Sequence, residues 1–153
     1  MSDLSETIHA TGHENVRAEH GSTFEVTTDD WLTPAGDCIL AVEADRTPAD
    51  FAPAFVQACR DSDATITAEL VVGDGDDDGD AADEDERHEA TIVGSGHPDL
   101  AFNNDRSAVG RTSEYVDDRT IMVKADAAAA DLDRDLVDAL AAGADLELTL
   151  RVD

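Results

Sequence analysis

The sequence predicts a β-rich α+β chain built twice over, each half running strand, strand, strand, helix, strand. Three patterns carry that expectation: two-residue alternation of apolar side chains, two helix stripes, and a self-match at a shift of 81 residues. At that shift Asp37, Val42, Ala44 and Asp45 fall on Asp118, Val123, Ala125 and Asp126, and Phe51, Phe55 and Cys59 fall on Leu132, Leu136 and Leu140. At a shift of 80, Ile66, Ala68, Leu70 and Val72 fall on Leu146, Leu148, Leu150 and Val152. Upstream, Gly12-His13 lies on Gly96-His97, 84 positions on. Matched apolar spacing over separated segments reads as an ancient duplication.

In the first half, Val16, Ala18 and His20 alternate with Arg17 and Glu19. After a Gly21-Ser22 turn, Phe24 and Val26 alternate with Glu25 and Thr27. Both have the period of half-buried strands. Ile39 to Val42 is a continuous apolar run, as in a strand buried on both faces. Thr47-Pro48 opens a helix striped by Phe51, Phe55 and Cys59, with Pro53 pushing the true start towards Asp50. The second helix, about Ala129 to Ala142, stops at Gly143. The chain of 153 residues suits one domain: half one over 7–72, an acidic loop over 73–87, half two over 88–153.

The net charge of −27 dominates the composition. Residues 73–89 hold −9 of it, so −18 is spread over the rest. Nine arginines stand beside a single lysine, Lys124. A pervasive carboxylate surface with almost no lysine is the composition of haloarchaeal proteins, since molar salt shortens the Debye length to about 3 Å. The acidity then reports habitat and leaves nucleic acid open as a partner. The opening residues are polar and acidic, with no secretory or membrane-spanning pattern, so a cytoplasmic location is expected. In that compartment Cys38 and Cys59 are expected to be free thiols.

The duplicated unit, with Gly36-Asp37 before a buried strand, resembles the cradle-loop barrels, including double-psi barrels. That resemblance implies two halves interleaved into one closed six-stranded barrel. Asp117-Asp118 stands where the second Gly-Asp would be, a departure from the pattern. The stretches GHENVRAEHGSTFEVT, LTPAGDCILAVEAD and GRTSEYVDDRTIMVKADAAAADLDRDLV resemble the archaeal family known as domain of unknown function 371. The resemblance implies an archaeal source and brings no activity with it.

Candidate chemistry gathers in Gly12 to Glu25, where His13, Asn15, His20, Thr23 and Glu25 lie close together in sequence. With Arg111, Ser113 and Arg119 from the other half they form a candidate polar cluster. Arginines there would clamp an anion while a histidine acts as base. The plainer alternative is that these side chains satisfy backbone groups at turns. Gly36-Asp37 reads as a tight turn. Cys38 has Arg119 as its counterpart and no nucleophile signature around it, and Cys59 sits on a core stripe. His9, His13 and His20 match no compact metal-ligand spacing. Asp74 to Asp85 fits half of a calcium loop, but Asp85 stands where that loop needs glutamate, and its flanks read as strands. No metal or cofactor is expected.

Two functions follow from these residues. One is a non-catalytic binding or adaptor domain whose groove takes a small anion, a nucleic acid or a protein. The other is a small hydrolase or transferase with His13 or His20 as base and Arg111 or Arg119 as anion clamp. The distinguishing feature is whether the groups converge on one cleft.

Overall fold

A computed structural model describes residues 4–33, 35–73 and 87–153. The acidic run and its calcium-loop pattern therefore lie outside the described residues, apart from its two ends. The strands are β1 (Leu4–Thr11), β2 (Thr23–Thr27), β3 (Ile39–Ala41), β4 (Thr65–Gly73), β5 (His88–Ser95), β6 (Ser107–Arg111), β7 (Thr120–Met122) and β8 (Asp145–Val152). Two helices, α1 (Pro53–Cys59) and α2 (Arg134–Ala141), each follow a 3-10 turn. The α+β, strand-rich class is as expected.

The expected closed barrel is not what these strands form. They make two four-stranded sheets, ordered β1-β8-β4-β5 and β3-β2-β6-β7. The first is antiparallel throughout. In the second, the antiparallel pair β2–β6 is flanked by β3 and β7, each parallel to its neighbour. Among the described residues, isolated bridges from Thr11 to Val42 and from Ser95 to Val123 link the two sheets. The apolar faces enclose a shared core that includes Ile8, Phe24, Leu40, Ile66, Ile121, Leu136 and Leu148.

Element order is the same on both sides of the acidic run. β5 and β6 begin 84 positions after β1 and β2, β7 and α2 begin 81 after β3 and α1, and β8 begins 80 after β4. Backbone detail follows the same offsets. Ala18 and Phe102 have φ of 50° and 49°, and Glu43 and Lys124 have φ of 59° and 54°. Asp50 and Asp131 each accept the amide three residues upstream, Thr47 and Ala128, at 2.9 Å.

Two local expectations are corrected. Val16 to His20 belongs to neither sheet, because the left-handed φ of Ala18 breaks the extended run. The first strand is β1, which buries Glu6, Ile8 and Ala10 on alternate positions. The first helix begins at Pro53 rather than near Asp50. A proline there lacks only an amide that the first helical turn would leave unbonded anyway. The stripes Phe51, Phe55, Cys59 and Leu132, Leu136, Leu140 are all buried. Gly143, at φ 97°, ends the second helical region as its sequence suggests.

Candidate functional site

The central pair β2–β6 sets the geometry. Its register places Thr23 opposite Arg111, Glu25 opposite Val109 and Thr27 opposite Ser107. Side chains alternate across a strand, so these six share one face, while Phe24, Val26, Ala108 and Gly110 share the core face. A Cβ on Gly110 would collide with the Phe24 ring, so the glycine makes room for it. Because β3 and β7 run parallel to their neighbours, residues 28–38 and 112–119 must each travel back along a strand. Under these crossover loops Glu25, Thr27, Ser107, Val109 and Thr120 are buried.

Asp117 is the hub of this face. Its carboxylate accepts from the guanidinium groups of Arg111 at 3.0 Å and Arg119 at 3.1 Å. It also accepts from the Arg119 amide at 3.0 Å and the Thr120 hydroxyl at 3.1 Å. Arg111 donates a second bond to the Thr120 hydroxyl at 2.9 Å and lies 4.8 Å from the Tyr115 ring centre, in cation–π range. Burial opposes ionisation of Asp117, but the Arg119 bonds, the Arg111 charge and the Thr120 hydroxyl outweigh it and hold its pKa at about 2. The residues 81 or 84 positions earlier are Gly36, Thr27, Cys38 and Ile39, which carry no carboxylate or guanidinium to repeat this network.

Glu25, on the β2 strand of the same face, is buried and accepts the Cys38 thiol at 3.3 Å. Burial first, then the charge and hydrogen bond of Glu25, push the Cys38 thiol up to about 11. Cys59, deep in the core, is pushed up to about 12 by burial. Nucleophilic sulfur chemistry needs a thiolate, and neither cysteine has the surroundings to make one near neutral pH.

The histidines do not join this cluster as free bases. The amide of Asn15 donates to Nδ1 of His13 at 3.0 Å, and at the matching turn the amide of Asp99 donates to Nδ1 of His97 at 3.0 Å. Asn15 itself donates to the Leu32 carbonyl at 2.7 Å, pinning the first crossover loop. Nδ1 of His20 accepts from the amides of Ser22 and Thr23, at 3.3 and 3.2 Å, and lies 3.0 Å from the Thr23 hydroxyl. At the matching turn, Oδ1 of Asn104 accepts the amides of Arg106 and Ser107 at 2.8 and 2.7 Å. An asparagine thus performs at one turn what His20 performs at the other. His9 lies elsewhere, between Asp45 at 3.5 Å and Glu147 at 3.3 Å. Among the described residues no three His, Cys, Asp or Glu side chains converge to hold a metal ion.

Of the six candidate residues, Arg111 and Arg119 meet on Asp117, Glu25 lies beside Cys38, and His13 and Asn15 share a turn. His20 belongs to a second turn against Thr23. The sequence reading missed Asp117 as the organising group, although the Gly36 to Asp117 departure between the halves is its signal. It also missed Thr120 and Tyr115.

Comparison with known proteins places the chain. Residues 8–153 match the family model described as "Domain of unknown function (DUF371)". The chain belongs to the DUF371 family. This DUF371 protein is also 37% identical over 139 residues to "Uncharacterized protein MJ0206" of Methanocaldococcus jannaschii, an alignment covering 91% of this chain and 93% of the relative. Among the described residues no helix is long and apolar enough to cross a membrane.

Proposed function

We propose that this DUF371 protein is a non-catalytic binding domain of a haloarchaeal cytoplasm, with the crossover-loop face of the β3-β2-β6-β7 sheet as its binding surface. The observation that carries this reading is the occupation of every candidate base and nucleophile. Nδ1 of His13 and of His20 accepts backbone amides, which puts the ring proton on Nε2 and leaves neither nitrogen a free lone pair. Cys38 is held as a thiol, and both arginines of the expected anion clamp are bonded to Asp117. The reading includes an ancestral duplication, one domain of halves 7–72 and 88–153, and crossover loops of the cradle-loop kind in an open two-sheet form. The same element order, repeated at offsets of 84, 81 and 80 residues, supports the duplication.

The test uses the protein's own internal control. In archaeal cells deleted for the gene, the double variant His13→Asn, His20→Asn is expected to rescue the deletion phenotype as well as wild type. Asparagine supplies the same amide acceptor, as Asn104 does. Loss of rescue by a folded double variant would instead identify a histidine base and the enzyme reading.

A further inference from the structure

The chain has one tryptophan, one tyrosine and four phenylalanines. All four phenylalanines are buried, whereas Trp31 is 56% and Tyr115 61% exposed. Trp31 and Tyr115 each stand four residues past the end of their strand, β2 and β6, on the two crossover loops. Each follows an exposed acid, Asp30 and Glu114, at the same offset. An acid–aromatic pair thus projects from both loops of a chain that otherwise buries its rings.

We infer that Asp30-Trp31 and Glu114-Tyr115 form a paired docking surface for an arginine-bearing segment of a partner protein. This rests on the binding-domain reading and names its partner. Charge complementarity selects the occupant. A guanidinium stacks on an aromatic face and pairs with a neighbouring carboxylate, and Tyr115 already takes Arg111 of its own chain in that manner, at 4.8 Å. Glu114 makes one loose contact, 3.8 Å, with exposed Lys124. The first loop has acidic Glu43 at the Lys124 position, with its amide bonded to Asp29. Phosphates find little here, because Arg106, Arg111 and Arg119 are bonded to Asp29 and Asp117. A second copy would bring acids against acids. The loops leave opposite ends of a five-residue strand pair, roughly 13 Å apart at about 3.3 Å per residue. Each acid–aromatic pair takes one arginine, so the segment that engages both carries at least two.

The test is fluorescence anisotropy with a labelled octa-arginine peptide in molar KCl, where exposed charges are screened and ring stacking persists. Wild type is expected to bind saturably. Trp31→Ala, Tyr115→Ala should weaken binding about tenfold, the sum of two exposed cation–π contacts. Trp31→Phe, Tyr115→Phe should restore most of it, and circular dichroism should show all three folded. Equal binding by wild type and the alanine variant overturns the inference. So does absence of binding by wild type, and binding of a labelled oligothymidine in its place would assign the face to nucleic acid. Neither result touches the histidine rescue experiment, so the two readings fail separately.

Discussion

Replacing Asp117 with alanine is expected to lower stability by about 2–4 kcal/mol, since removing one partner of a partly buried ion pair strands the other charges. Arg111, with only 11% of its side chain exposed, would lose its carboxylate while remaining under the loop. The same carboxyl predicts an acid limb. Its folded pKa, about 2, is below the ordinary value of 3.8, so its contribution is present above about pH 4 and lost as pH falls towards 2. That contribution is roughly 1–2 kcal/mol after allowance for its partial exposure. Urea titrations at several pH values should show the limb in wild type. In Asp117→Asn it should shrink, because asparagine has no proton to take up.

Gly12→Ala is expected to cost at least about 3 kcal/mol, at the upper end for overpacking. A Cβ on Gly12 would collide with the carbonyl of Leu140, near the end of α2, and crowd that of Ala144. Gly96 meets the carbonyls of Cys59 and Asp61 in the same way at the end of α1. Backbone cannot swing aside as a flexible side chain can, and Gly12 also donates its amide to Ala144 at 2.7 Å. Gly21→Ala is the control, because nothing lies within 4 Å of its Cβ position. Thermal unfolding should separate the two by roughly ten degrees, at about 3 °C per kcal/mol for a chain of this size. Equal midpoints would contradict the close approach of β1 to the end of α2.

Much of the fold was legible because its signals are local. The stripes of both helices, the alternation of β2, β4 and β8, and the glycine stop at Gly143 depend on nearest neighbours and burial. β1 was hidden because Glu6 occupies one of its inward positions. That carboxylate is compensated by Arg46 at 2.6 Å and by the amide of Ala52 at 2.7 Å, partners 40 and 46 residues away. Val16 to His20 alternates convincingly, yet a single residue at φ 50° removes it from the sheet. The site was less legible for a related reason. Polar residues could be named from the sequence, but whether a histidine nitrogen is free or spent on a turn amide depends on backbone geometry. Asp117 was visible as a mismatch between the halves, while its two arginines are joined only by the loop's return across β6.

The central claim is that His13 and His20 build turns. It is tested most directly by nitrogen-15 NMR of the histidine side chains in molar salt at neutral pH. Both rings are expected as the Nε2–H tautomer, with Nδ1 of each accepting the backbone amide assigned to it. A proton on Nδ1 of His20, or a freely exchanging ring with no such bond, would contradict it and return His20 to the role of a base.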